Sequence, residues 1–275
     1  MITDAGKKTK DTYGFLWSRR ADKSVAERWH FNAMQDAVGT SIVRGKMGID
    51  IGSGCGYDTY IMARSNPGVT IVSIDISEGV YSTAKFALIL DNIKAIRCSF
   101  LEVPLKGNSF DFAYSFGALH HTDRPEKGLL EIARILKKSA PCFLYLYEDH
   151  SENPVKYAAI RVINILRHIT ARFSPKVLYV LSCFASPFVF ILFSLPSKAL
   201  MRFKLTRVMA GRMPFNFATG IFSLRGDLYD RFGAPVERRF SRRQVYDMFI
   251  GAGFYDINIT RINDRAGWVA WGRKV

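Results

Sequence analysis

The run Asp50-Ile51-Gly52-Ser53-Gly54-Cys55-Gly56 sets glycines at alternate positions behind the apolar stretch Met47-Gly48-Ile49, and Asp75 follows the last of them by nineteen residues. Glycine lets a backbone turn sharply out of a strand and approach a ligand closely. A carboxylate ending the next strand can hold a ribose diol. Together they read as a nucleoside cofactor site. A dinucleotide fingerprint needs a glycine two residues beyond Cys55, where Tyr57 stands. The spacing is GxGxG and not GxGxxG, which disfavours nicotinamide binding.

These residues need a sheet to position them. Apolar, β-rich runs at 47–51, 70–75, 94–98, 110–115 and 141–147 alternate with helical patterns at 57–65, 78–90 and 125–138. That alternation predicts an α/β fold, a parallel sheet with helices on both faces. Near the amino end, Ser24 and Glu27 can form a capping box for a helix running to about Ala37, preceded by Tyr13-Gly14-Phe15-Leu16-Trp17. Near the other end, Ser241 is set to cap a helix over 242–250, Gly251-Ala252-Gly253 stops it, and strands are expected at 254–261 and 267–273. No internal repeat is visible, which excludes a solenoid. A chain of 275 residues suits one catalytic α/β unit with an insertion. The segments expected are 1–45 as amino-terminal cap helices, 46–150 as the cofactor-binding core, 151–238 as the insertion, and 239–275 as the completion of the sheet.

Lysine and arginine number 39 against 24 acidic residues, a net charge of +15. The excess is uneven: residues 151–212 hold ten basic side chains and one acidic one, Glu152. Such a segment is expected to face something anionic. Cys55, Cys98, Cys142 and Cys183 are scattered without metal or disulfide spacing, in keeping with a reducing compartment. Lys7, Lys8 and Lys10 have no apolar stretch behind them, so a cytoplasmic location is expected.

Val177 to Leu195 is nineteen residues without a charge, flanked by Arg167, Arg172 and Lys176 and by Lys198, Arg202 and Lys204. Its length would cross a bilayer. One crossing, however, would leave the first five strands and the last two on opposite sides, although all seven belong to one sheet. Ser186-Pro187 is expected to break the run into two short helices. Their apolar face either lines a greasy pocket as a lid or dips into an anionic membrane interface, with the basic flanks on lipid phosphates. The competing arrangement is a buried core pair or a homodimer contact.

Three further stretches carry a resemblance: Phe110-Asp111-Phe112-Ala113-Tyr114-Ser115, Ala118-Leu119-His120-His121, and Leu130-Glu131-Ile132-Ala133-Arg134-Ile135-Leu136-Lys137. With the glycine run they resemble the class I S-adenosylmethionine (SAM) methyltransferases. The similar branch includes the ubiquinone and menaquinone C-methyltransferases and many natural-product and sugar methyltransferases. The resemblance covers residues 46–148 and not 149–238. It implies a Rossmann-like sheet of seven mostly parallel strands, with the helical, apolar insertion between strands five and six.

The resemblance also assigns roles. Gly52, Ser53, Gly54 and Gly56 pass beneath the methionine part of SAM, and Asp50 orders the turn. Asp75 takes both ribose hydroxyls. Ile76 packs on the adenine, and Phe100 closes its other side. Ser99 stands where the family usually has an acidic residue at the adenine amino group. Ser115, with Phe116 and Gly117, leaves the fourth strand where its carbonyl meets the methionine ammonium. Tyr13 and Trp17 resemble an aromatic pair that folds over the cofactor, or else they anchor the first helix.

Methyl transfer from a sulfonium disperses charge, so alignment in a dry pocket supplies most of the acceleration. A hydroxyl acceptor still benefits from a base. His121, beside His120, is the first candidate and Glu148 the second. The alternative is that the histidine pair only caps a loop. Arg238, Arg239, Arg242 and Arg243 form another basic cluster, either a solvated face or a contact for a phosphate-bearing acceptor.

The leading expectation is a SAM-dependent methyltransferase for a lipophilic or lipid-linked small molecule, oxygen favoured over carbon. RNA methylation is the alternative suggested by net charge. Nucleic acid is disfavoured because Ser115-Phe116-Gly117-Ala118 stands where base-amine methyltransferases carry an Asn/Asp-Pro-Pro-aromatic motif. A non-catalytic SAM-binding partner subunit at a membrane is the third reading.

Overall fold

The computed structural model describes residues 4–19, 34–36, 41–215, 221–261 and 267–275. It comprises two units, Met1–Glu148 with Val236–Val275, and Asp149–Pro235. In the first, helix α1 (Asp4–Arg19) precedes β1 (Met47–Ile51), α2 (Tyr57–Ser65), β2 (Thr70–Asp75), α3 (Val80–Phe86), β3 (Ile93–Arg97), β4 (Phe112–Phe116), α4 (Pro125–Ile135) and β5 (Pro141–Leu146).

The seven strands form one sheet in the order β3-β2-β1-β4-β5-β7-β6, where β6 is Phe254–Arg261 and β7 is Trp268–Lys274. The first five pair in parallel, and β7 runs antiparallel to both β5 and β6. This is the class I methyltransferase sheet the resemblance implies.

Period-two alternation sends Ile49, Ile51, Val72 and Ile74 to one face, against Leu129 and Ile132 of α4. Ile71, Phe112, Tyr114 and Phe143 go to the other, against Met62 and Ala63 of α2. Both faces are covered, so the strands read as unbroken apolar runs.

Helix ends depart from the sequence expectation for local reasons. The pattern at 78–90 yields only α3, because Leu88 is 87% exposed and finds nothing to pack against. The pattern at 125–138 stops at Ile135, where Leu136 turns extended and bridges to Phe110. Ser241 caps the last helix: its hydroxyl accepts the Gln244 amide, and Gln244 Oε1 accepts the Ser241 amide. The capping box expected at Ser24 and Glu27 lies outside the described residues. The amino-terminal helix that is described, α1, buries Thr9, Thr12 and Leu16. Two of those three are hydroxyl residues, which hides the stripe from an apolar count.

The second unit contains α5 (Pro154–Thr170), α6 (Pro175–Val189), a π turn at Phe190–Ser194, α7 (Leu195–Met201), α8 (Arg207–Arg212) and α9 (Ile221–Gly233). From α6 through α7 the chain is one helical run of 27 residues, Pro175–Met201. The expected break at Pro187 does not occur. Proline cannot serve the carbonyl one turn back, but the neighbouring Ser186 hydroxyl donates to Cys183 O at 3.1 Å and satisfies it. The π turn follows the proline and keeps the run helical.

The run packs on α9 through Tyr179, whose ring meets Tyr229 edge-on at 6.2 Å and lies 5.0 Å from the Arg225 guanidinium. Arg167 Nε donates to Arg231 O at 2.7 Å and the Thr170 hydroxyl to Phe232 O at 2.7 Å, tying α5 to the last turn of α9. In the first unit the final helix is α10 (Arg242–Gly251).

Candidate active site

β1, β2 and β4 end side by side, and between β1 and β4 the strand order reverses. Ligands of open α/β sheets sit outside the carboxyl ends at such a switch point. Gly52 and Gly54 have φ of 71° and 57°, a left-handed backbone that favours glycine. The amides of Gly52 and Ser53 donate to Ile74 O at 2.8 and 3.1 Å, so the bend is fastened to the end of β2. Asp75 fastens it again: Oδ2 accepts the Gly54 amide at 2.8 Å and Oδ1 the Ser77 amide at 2.7 Å. Burial pushes the Asp75 pKa up against the pull of these amides. The Ser77 hydroxyl bonds the carboxylate too, and its four lone-pair sites leave room for one further donor.

Asp50 lies beneath the bend, buried, and accepts the Thr59 hydroxyl at 2.6 Å. Burial, and then the nearby charge of Asp58, push its pKa up to about 8. At neutral pH it is therefore mostly the neutral acid, joining β1 to α2 through hydrogen bonds rather than through charge. The Ser53 hydroxyl is buried in the bend with no hydrogen-bond partner among the described residues. An orphaned polar atom in a backbone cradle suits a polar ligand group.

At the end of β4, the Ser115 hydroxyl donates to Ile51 O at 2.7 Å, and Phe116 stacks on Tyr145 at 4.4 Å. Gly117 then turns the chain with φ of 81°. Ile76 is half-buried beside Asp75, its carbonyl accepting Arg97 Nε at 3.3 Å. Ser99 and Phe100 follow β3. The Ser99 hydroxyl accepts the Leu101 amide at 3.2 Å, whereas the Phe100 ring lies against Gly128 of α4. That ring is committed to helix packing.

Helix α1 supplies the cover. The Trp17 indole lies so close over the bend that a Cβ on Gly54 would stand 2.9 Å from it. One turn earlier, the Tyr13 hydroxyl lies 2.8 Å from His121 Nε2. His121 Nδ1 is 3.1 Å from Val236 O. The Tyr13 hydroxyl also lies 3.1 Å from Nδ1; with Nδ1 donating to the Val236 carbonyl, which only accepts, Nε2 is the nitrogen left to accept from Tyr13.

His120 differs from its neighbour. It is fully buried, stacks on Tyr147 at 3.8 Å, and has no partner for either nitrogen among the described residues. Burial, then the neighbouring His121, hold its pKa well below the histidine range. Glu148 is held by Arg261 through two bonds, of 2.7 and 3.3 Å, with the Gly267 amide 3.4 Å from Oε2. The structure thus brings Tyr13, Trp17, Asp50, the glycine bend, Asp75, Ser115 and His121 to one end of the sheet. Glu148 is engaged with β6 and the start of β7.

The arginine cluster is largely spent. Arg238 reaches Glu126, Arg239 reaches Glu237, Arg243 reaches Asp247, and Arg242 donates to Ile259 O. Sequence reading missed Thr59 and the Val236 carbonyl. Thr59 lies nine residues from Asp50, in the first turn of the helix after the bend, and that position was its signal. A backbone acceptor leaves none.

Residues 49–144 match the family described as Methyltransferase domain. Sterol methyltransferase-like 1 of Botryococcus braunii is 30% identical over 125 residues, covering 43% of this chain and 31% of that protein. The tRNA (carboxymethyluridine(34)-5-O)-methyltransferase of Saccharomyces cerevisiae is 32% identical over 94 residues, 34% of this chain and 32% of that one. The chain thus spans about a third of the length of the curated relatives it matches. Among solved structures, human N-acetylserotonin methyltransferase in complex with SAM aligns with a TM-score of 0.52 at 14% identity, over 98% of this chain and 56% of that one.

Proposed function

We infer that this chain is a class I SAM-dependent methyltransferase that methylates a lipophilic or lipid-linked small molecule, on oxygen in preference to carbon. The reading of the site rests on one observation: the Asp75-fastened glycine bend lies under Trp17, while the same helix α1 places Tyr13 on His121. SAM fits this cradle, because a side chain at Gly54 would meet the indole and the Ser53 hydroxyl awaits a partner. Gly52, Gly54 and Ser53 would hold its methionine part, Asp75 its ribose, and Ile76 its adenine. When bound, it supplies an electrophilic methyl group on sulfur.

The chain's own residues do the rest. Trp17 keeps water from the bend, which matters because a dry site strengthens every fixed dipole around a reacting group. His121 takes the acceptor's hydroxyl proton at Nε2 through the Tyr13 hydroxyl, and the Val236 carbonyl holds the ring in the required tautomer. His120, neutral and without access to solvent, is an aromatic filler in this reading. Glu148 anchors strands through Arg261 instead of accepting protons.

Oxygen is favoured because carbon acceptors activated by their own π system need no such relay. The apolar surface of the helical unit, and the sterol methyltransferase-like relative, favour an oily acceptor. Radiolabelled SAM incubated with fractionated cell extract tests this: label is expected in the organic phase, with release of S-adenosylhomocysteine. Label in RNA instead would favour the reading suggested by net charge and by the tRNA-methylating relative.

A further inference from the structure

The helical run from α6 through α7 is built inside out. Its buried positions include Ser182, Ser186, Ser194 and Ser197, while Val177, Leu181, Phe184, Phe188, Ile191 and Leu195 are exposed. Phe184 and Phe188 stand 71% and 67% open. Only 22% of the most apolar window is buried, so this is not the core helix of its own unit. At 100° per residue, the outward apolar positions between Val177 and Leu195 span an arc of about 140°. Ile165, Ile169, Phe203 and Val208 on neighbouring elements are exposed as well. Soluble monomers rarely expose so much.

The charges around it choose the occupant. Arg172 and Lys176 are exposed before the run, and Arg202, Lys204 and Arg207 after it. No acidic residue occurs between Glu152 and Asp227. Apolar surface with cations at both ends matches lipid, whose acyl chains take the former and whose phosphates take the latter. A second copy matches less well. The stripe repeats at heptad-like spacing, but a coiled coil carries charges along both sides of its seam, and no charge lies between Val177 and Leu195.

Topology fixes how the run meets lipid. β5 pairs with β7 from Pro141–Arg273 through Leu146–Trp268, and a single crossing between residues 175 and 201 would separate those strands. Among the described residues no second helix is long and apolar enough to bring the chain back.

We propose that the helical unit docks on an anionic lipid surface with the Pro175–Met201 run lying in the interface, its Phe184 and Phe188 side in the acyl region and its serine side turned to the rest of the unit. This deepens the acceptor reading above by naming the surface on which an oily substrate is met, and rests on that reading only for what is collected there.

Flotation with vesicles of phosphatidylcholine and phosphatidylglycerol, without SAM or acceptor, tests it. The wild-type chain is expected to rise with them, and less with phosphatidylcholine alone. Phe184→Ser with Phe188→Ser should cut the floated fraction at least tenfold, with helical content and SAM affinity unchanged. Lys176→Glu with Arg202→Glu and Lys204→Glu should lower it comparably. A wild-type chain that stays at the bottom, or a serine variant that floats like wild type, overturns the proposal. So does a dimer in vesicle-free buffer that the serine variant makes monomeric, since the face then belongs to a second copy. A dye on Phe184→Cys should be quenched best by bromines on shallow acyl carbons; deeper quenching would overturn the in-plane arrangement. Methyl transfer plays no part in these readouts, so either reading can fail alone.

Discussion

The sheet unit and the helical run Pro175–Met201 place the same residue types by opposite rules. In the sheet unit, Ile49, Ile51, Ile74, Phe112 and Leu144 are buried and the chemistry gathers at strand ends. Along the run Pro175–Met201, Ser182, Ser186, Ser194 and Ser197 are buried while Leu181, Phe184, Phe188 and Leu195 face outward. Burial of apolar area drives folding at about 25 cal/mol per Å², so the sheet unit spends its large side chains on its own core. The helical unit leaves much of that surface open. One region is specified by what it encloses, the other by what it meets.

Paired substitutions can break this contrast. The largest effect is expected for Leu144→Ala in β5, which should cost about 2–5 kcal/mol in denaturant unfolding, the usual range for emptying a packed core site. Asp50→Asn comes next. A carboxyl raised from 3.8 to about 8 stabilises the fold most below pH 4 and loses that contribution as pH climbs through 8. The asparagine variant should therefore lack the decline between pH 4 and 8. Unchanged pH dependence would show Asp50 to be ionised in the fold.

Ser186→Leu should destabilise the helical unit by about 1–3 kcal/mol, because it crowds α6 against α9 and removes the donor to Cys183 O. Phe188→Ser, outwardly the harsher change, should stay within about 0.5 kcal/mol in vesicle-free buffer. If it costs as much as Leu144→Ala, the outward face is covered after all.

On the site itself, Tyr13→Phe should lower kcat by about 10- to 100-fold and His121→Ala by 100-fold or more, within the range of general-base effects. SAM affinity should hold in both. Full turnover with Phe at 13 would remove the relay, and full turnover with Ala at 121 would remove the base.

Much of the sheet was legible because parallel strands and the glycine bend leave dense local signals. The strand patterns at 47–51 and 70–75 match β1 and β2 residue for residue. The bend was readable because only glycine suits it. The cap at 1–45 was expected to be helical, but the bounds of α1 were not readable, because Thr9 and Thr12 bury hydroxyl side chains at positions where a periodic reading looks for aliphatic ones. The unbroken helix through Pro187 was also hidden, since its rescue depends on one hydroxyl donating to one carbonyl. Of the proposed site, the glycines and Asp75 stand out by spacing. The tautomer of His121 depends on Val236 O, 115 residues away, and no local pattern encodes it.

Trp17 and Tyr13 share one rod, a single helical turn apart. Were the rod to lift the indole off the bend, it would carry the phenol off the imidazole in the same stroke, so the cover over the glycines and the hydroxyl on His121 are made or lost together.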